Sequence, residues 1–259
     1  MNLLLVDIGN TNTKIKLSNE DEIFAIQTSD KYTPELLGML IPEYLKVEVD
    51  DIVVSSVVPK ALLQLKRFFK EQYNKDPMIV DTRTFKGYIE FPEEVKSGFG
   101  ADMFSTMNAI ASTEGTFLTI DCGTACTFNL VVDHKYVGTS IAPGLSTSHR
   151  ALISNAALIQ YVNLKDEKIK LLANNTEDCV KSGTILGWSF MIDGFISEVK
   201  KEYNLDNLKV YFTGGVSHLI QPHLKNEVIV ERNLIFRGLT ELYKLNKENY
   251  NEKILNYRR

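Results

Sequence analysis

The stretch Leu3-Leu4-Leu5-Val6-Asp7-Ile8-Gly9-Asn10-Thr11-Asn12-Thr13-Lys14 decides how the rest of the chain is read. Four apolar residues predict a buried strand that carries one carboxylate, Asp7, to its end. Gly9 permits a tight turn, and Asn10, Thr11, Asn12 and Thr13 add small side chains and main-chain groups that donate hydrogen bonds. Ile15 and Leu17 then resume an alternating strand. Such a turn suits phosphate groups, with Asp7 able to hold their magnesium. A polar hairpin turn between two strands is the alternative reading of these residues.

Moving outward, residues 13–17 and 22–27 predict two further strands, making an antiparallel meander with the first. Thr33-Pro34 opens a helix expected to reach residue 45, and residues 51–58 form a β-branched, buried strand. Pro59 opens a helix with an apolar face, residues 78–80 form a short strand, and residues 100–112 form another helix. Between them, residues 82–99 are irregular and read either as a substrate or lid loop or as plain surface. The pattern then restarts. Residues 116–120 predict a buried strand ending in Asp121-Cys122-Gly123-Thr124-Ala125, and strands at 127–132 and 136–141 follow, separated by a polar turn at Asp133-His134. Residues 176–203 read as one long helix or a bent pair, with Gly183, Gly187 and Gly194 favouring close packing or a bend. Strands at 210–212 and 228–230 flank a Thr213-Gly214-Gly215 turn, and residues 234–245 form a last helix before a polar tail expected to fray. Two strands ending in Asp-x-Gly at equivalent places imply a duplicated architecture, divided at residues 1–113 and 114–259.

With 259 residues and ordinary hydrophobic and charged content, the chain can bury a sizeable core. A net charge of −4 gives no general attraction to nucleic acid or anionic membrane. Its apolar runs are strand-sized, short of the roughly 20 residues of a membrane helix, and no signal peptide is apparent at the N-terminus. Three cysteines do not make a secreted disulfide framework, so a reducing cytoplasm is expected, with Cys122 and Cys126 as small core residues. The four histidines lack ligand-like spacing, and solvated side chains are their default reading. His149, behind the Pro143-Gly144 turn, is the one placed to touch a substrate. Trp188 reads as helix packing.

Taken together, these motifs resemble the two-lobed phosphotransferases and ATPases that include actin, acetate kinase and sugar kinases. Within that group the chain is most similar to the bacterial type III pantothenate kinases. The residues that carry the likeness, in the family's order, are Asp7 to Lys14, Gly100-Ala101-Asp102, Asp121 to Ala125 and Gly138 to Gly144, followed by Asn175-Thr176, Ser182-Gly183, Thr213-Gly214-Gly215 and Asn233 to Leu239. The resemblance implies an α/β fold of two duplicated actin-like (ribonuclease H-like) lobes, each a mixed five-stranded sheet with flanking helices and with the active site between them. It implies ATP-dependent phosphorylation of the primary hydroxyl of pantothenate, the first step towards coenzyme A, by a homodimer that uses magnesium and a monovalent cation, potassium or ammonium.

The same resemblance assigns roles. Asp7, Ile8, Gly9, Asn10, Thr11, Asn12, Thr13 and Lys14 bind ATP, as does Thr124, while Asp7 holds magnesium directly or through water. Asp121 is the monovalent-cation ligand, and Asp102 the base that accepts the proton of the attacking hydroxyl. Gly100, Ala101, Asp102, Met103 and Thr176 belong to the substrate side. Read without the family, Asp102 is a carboxylate complementing a helix N-terminus and Thr176 an N-cap. Two features depart from the family. Met103 stands where arginine is usual and cannot supply its charge or forked donors. The loop before Gly100 lacks the usual tyrosine-to-glycine spacing, leaving Tyr88 or Phe91 as stand-ins. A family member with altered substrate or lost activity, or a regulatory protein on the same scaffold, are the rival readings; no basic stripe or helix-turn-helix signal supports DNA contact.

Overall fold

Two sheets of the same topology organise the protein, one in each compact unit. The computed structural model describes residues 1–165 and 168–257. The first unit comprises Met1–Glu114 with the segment from Asn233, and the second comprises Gly115–Arg232.

In the first unit, β1 (Leu3–Ile8), β2 (Asn12–Leu17), β3 (Phe24–Gln27), β4 (Asp51–Ser56) and β5 (Met78–Ile79) lie in the order β3-β2-β1-β4-β5. β1, β2 and β3 form an antiparallel meander, whereas β4 runs parallel to β1 and β5 parallel to β4. Parallel neighbours require crossovers, supplied by α1 (Pro34–Leu40) and α2 (Pro59–Tyr73). Alternation along β1 turns Leu4, Val6 and Ile8 into one core with Leu37, Ile52, Val54, Leu65 and Phe69. After the short α3 (Glu93–Lys96), α4 (Ala101–Ala111) is buried along almost its whole length. A helix buried on every side needs cover on every side. The chain's last helix, α9 (Leu234–Tyr257), provides it, packing on α4 and on the other face of β1 and β4.

The second unit repeats the plan. β6 (Phe117–Cys122), β7 (Ala125–Val132), β8 (Lys135–Pro143), β9 (Lys209–Thr213) and β10 (Ile229–Val230) lie in the order β10-β9-β6-β7-β8. Again the first three strands are an antiparallel meander and the last two extend the sheet in parallel. Asp133 and His134 turn the β7–β8 hairpin with φ of 48° and 59°, the left-handed pair that matches strand twist. Helices α5 (Leu145–Asn155), α6 (Thr176–Lys181) and α7 (Gly187–Glu202) cover the sheet, followed by the single turn α8 (Ser217–Ile220). Phe128 stacks on Phe195 at 4.2 Å in the core that also holds Leu118, Ile120, Trp188 and Ile192.

Several expectations change. Residues from Asn233 group with the first unit and not with the rest of 114–259, because α9 buries Leu234, Phe236, Leu239, Leu242 and Tyr243 there. The expected fraying after residue 245 gives way to helix through Tyr257, where Tyr250 donates to the Pro77 carbonyl at 2.8 Å. The last two residues of that tail lie outside the described residues. The first helix stops at Leu40 rather than residue 45, since Pro42 forces Ile41 into extended backbone and only a 3₁₀ turn, Glu43–Leu45, follows. The long helix of residues 176–203 is bent by a π-helical segment, Ser182–Leu186, and a Cβ on Gly183, Gly187 or Gly194 would meet nothing within 4 Å, so close packing is not their reason. Cys122 and Cys126 face each other across β6 and β7 with sulfurs 3.3 Å apart, buried as expected but on two strands.

Gly238 marks the tightest helix contact of the first unit: a Cβ there would drive into the backbone carbonyl of Ser105 on α4. Backbone cannot retreat as a flexible side chain can, so Gly238→Ala should destabilise the protein by about 2–3 kcal/mol. Chemical denaturation would show this as a lowered midpoint, and an unchanged midpoint would contradict the packing described.

Candidate active site

In the first unit, the β1–β2 turn is closed by the Gly9 amide donating to the Asn12 carbonyl at 3.1 Å. Thr28, just past β3, ties it from the side: its hydroxyl donates to Gly9 O at 2.7 Å and its amide to Thr11 O at 2.9 Å. Ile8 and Thr13 are buried, whereas Asn10, Thr11 and Asn12 stand exposed. Asp7 is half-buried and pairs in register with Lys14 across β2, an opposite-charge cross-strand pair, and with Ser55 across β4. The turn thus offers side-chain and main-chain polar groups to solvent from a fixed base, which is the arrangement that phosphate oxygens require.

Gly100, Ala101, Asp102 and Met103 form the start of α4, with Gly100 at the cap position. The Asp102 carboxylate folds back against Gly100, where any side chain would collide with it, and accepts the Met103 amide at 2.8 Å. Burial raises its pKa above the ordinary 3.8, and the hydrogen bond from the Met103 amide opposes that shift only in part. The carboxylate is therefore both a helix-start residue and a group with raised proton affinity. Its helix is held by Asn108, whose amide oxygen accepts the Tyr88 amide at 2.6 Å, and by Arg237, whose guanidinium donates to Ala109 O at 2.9 Å. Asn246 bonds both main-chain groups of Lys86. Residues 82–99 are consequently well anchored: Ile89 and Phe91 are buried, with Phe91 between Phe99 and Phe104. Phe91 is a core residue, and the Tyr88 hydroxyl lies 3.2 Å from Glu241 Oε2. Asn108, Asn246 and Thr28 were silent in the sequence, because each acts through backbone partners distant along the chain.

In the second unit, Asp121 lies near the end of β6, and Gly123 and Thr124 form the β6–β7 turn, closed by the Gly123 amide on Ala125 O at 3.0 Å. Two glycines let other segments approach it. Gly214 has φ of 102°, and a Cβ on it would overlap the Cys122 backbone. A Cβ on Gly144 would overlap Gly123 O, and the Gly144 amide donates to Thr124 O at 2.9 Å. The Cys126 sulfur and burial together push the Cys122 thiol pKa upward, so it stays protonated there. The Asp-x-Gly turn, the Pro-Gly turn and the Thr-Gly-Gly turn, far apart in sequence, thereby meet.

A separate cavity of about 750 Å³ opens between α5, α6 and the π-helical segment. Leu152, Ile159, Val180 and Trp188 give it apolar walls, and His149, Thr176 and Thr184 polar ones. The cap of α6 is Asn175, which accepts the Asp178 amide at 3.0 Å, so Thr176 is the first helical residue rather than the cap. Trp188 both packs in the core and lines the cavity. His149, expected in solvent by default, is buried, and its Nε2 lies 2.9 Å from Val162 O. Among the described residues, no helix is long and apolar enough to cross a membrane, and no group of three or more His, Cys, Asp and Glu is placed to hold a metal ion.

Duplicated 3-2-1-4-5 sheets with an Asp-x-Gly turn after the first strand of each define the actin-like class of two-unit scaffolds. Solved structures bear out that fold. They include a Campylobacter jejuni protein described as a conserved Baf family transcriptional activator, at 22% identity and a TM-score of 0.57, covering 96% of this chain and 99% of that one. Another is MreB 5 of Spiroplasma citri bound to AMPPNP, at 11% identity and a TM-score of 0.54, covering 97% and 98%. The chain belongs to the type III pantothenate kinase family, whose model matches residues 3–198. Relatives of that name include the Acholeplasma laidlawii protein, 32% identical over 251 residues and covering 94% of this chain and 99% of the relative. The Roseobacter denitrificans protein is 31% identical over 265 residues, covering 95% and 99%.

The raised Asp102 pKa has a consequence for stability. A carboxyl whose folded pKa exceeds its unfolded value favours the fold while protonated and opposes it once ionised. Asp102→Asn should therefore be as stable as the wild type or more stable at pH 7, with the gain shrinking as pH falls through the raised pKa and gone below about 4. Thermal melts across pH would check the sign, and a large loss at pH 7 would contradict it.

Proposed function

We propose that Asp102 is the general base in the ATP-dependent phosphorylation of pantothenate, the reaction of this enzyme's family and the entry step to coenzyme A. The observation that carries the reading is a half-buried carboxylate of raised proton affinity at the start of α4, in the family's Gly-Ala-Asp motif. Phosphoryl transfer needs alignment and charge neutralisation more than covalent help. Asp102 accepts the proton as the primary hydroxyl attacks. The Asp7 to Lys14 turn holds ATP phosphates, Lys14 adding positive charge, and Thr124 is a nucleotide contact. Thr176 is a contact of the acceptor.

Magnesium would neutralise the transferring phosphate. A single carboxylate such as Asp7 fits the way that ion binds, through one or two carboxylates, water and phosphate oxygens. Asp121, an oxygen donor on a turn rich in main-chain carbonyls, is of the hard donor type that potassium or ammonium accepts. We further propose a cytoplasmic homodimer with no nucleic-acid or membrane partner. Met103 supports one second reading: without the usual arginine, the enzyme prefers an acceptor other than pantothenate.

Purified protein should form phosphopantothenate from ATP and pantothenate, and Asp102→Asn should abolish turnover while retaining the fold. Since the base must be ionised, wild-type kcat/KM should fall on acidification with an apparent pKa above 3.8. Turnover by Asp102→Asn would remove Asp102 as the base. For the cation, Asp121→Asn should lose stimulation by potassium while its circular dichroism stays that of the wild type. Retained stimulation would place the cation elsewhere.

A further inference from the structure

The turn between β1 and β2 is held by a residue that lies outside it. The β2–β3 register sets Asn12 opposite Gln27, so Thr28, the next residue along, meets Thr11 with its main chain and Gly9 with its side chain. The Gly9 carbonyl can only accept, so the Thr28 hydroxyl spends its single hydrogen there, at 2.7 Å. In the 3.0 Å contact between the Thr13 and Thr28 hydroxyls, Thr13 is then the donor. Thr13 is only 2% exposed, and its hydroxyl is committed to Thr28. The three groups form a one-way relay from Thr13 to Thr28 to Gly9 O, each bond polarising the next.

This relay fixes the direction of a peptide. Across a planar trans peptide the carbonyl and the following N–H point opposite ways. With Gly9 O turned towards Thr28, the Asn10 N–H is turned away from it. Asn10 is exposed, and its amide donates to no group among the described residues. A main-chain N–H held in one direction on an exposed turn suits an anionic oxygen.

We propose that Thr28 is a positioning residue for ATP: by holding Gly9 O, it aims the Asn10 amide at a phosphate oxygen. The inference rests on the reading of the Asp7 to Lys14 turn as the phosphate site. It gives Thr13 an indirect part, exerted through Thr28 in place of contact with the nucleotide.

Thr28→Val keeps the side chain's shape and the main-chain bond to Thr11 but removes the hydroxyl, whereas Thr28→Ser keeps the hydroxyl. In calorimetry with magnesium and ATP and no acceptor, Thr28→Val should raise Kd about three- to tenfold, the loss expected for one hydrogen bond. Thr28→Ser should recover most of that loss. Thr13→Val should raise Kd less, and the double variant no more than Thr28→Val alone, because both residues act through one carbonyl. In nitrogen-15-labelled wild type, the Asn10 amide resonance should move on addition of ATP. The movement should shrink in Thr28→Val, a readout that lowered stability alone would not change. An unchanged Kd in folded Thr28→Val, or a loss that Thr28→Ser does not recover, overturns the assignment of Thr28 and leaves the kinase reading intact. If Thr28→Val does not fold, Thr13→Val carries the test: an unmoved Kd and a full Asn10 response overturn the relay. No binding of ATP by wild type overturns the reading of the turn and this inference with it.

Discussion

The backbone contact between Gly238 and Ser105 is the constraint on which the first unit depends. α4 carries Asp102 at its start and is buried over nearly its full length, so it is stable only with a second helix pressed against it. α9 can lie that close because Gly238 has no side chain. Arg237, its neighbour in sequence, donates to the Ala109 carbonyl near the α4 C-terminus, which also accepts the Ser112 hydroxyl. Further along, Asn246 pins the backbone of Lys86. A single helix thus fixes both the catalytic candidate's helix and the loop preceding it, which ties a carboxylate's position to the last segment of the chain.

A similar principle governs the second unit. Its Asp-x-Gly turn is crowded by backbone from two directions, at Gly144 and at Gly214. Close main-chain approach places carbonyl and amide groups around Asp121 and Thr124 without intervening side chains, suiting a site for ions and phosphates. The same unit holds a cavity of another character. The cavity near Thr176 is shaped by the π-helical segment, which breaks the regular helix between α6 and α7 and opens wall space at Gly183 and Thr184. Such insertions recur at functional sites because they turn helix geometry into pocket geometry.

Family membership and the departure at Met103 belong together. The two Asp-x-Gly turns are closed by backbone hydrogen bonds, whereas Met103 stands beside Asp102. The loop expected to touch substrate is largely committed to the core: Phe91 packs among phenylalanines, and Tyr88 engages Glu241.

The sequence by itself determined the duplication, the strand meanders, the two Asp-x-Gly turns and the family. These are local signals, since hydrophobic alternation and glycine placement are read from neighbours in the chain. The Asp7 to Lys14 stretch, open to two readings alone, is matched by its counterpart at Asp121 to Ala125. Only the tertiary structure decided that α9 returns to the first unit, that Asn108 and Asn246 anchor the 82–99 loop, and that His149 is buried with one nitrogen spoken for. Each depends on partners brought together across long stretches of chain, and burial of a polar atom is a property of the packed molecule. A histidine among polar neighbours in sequence reads as solvated, and it is the packing of the folded chain around it that buries it.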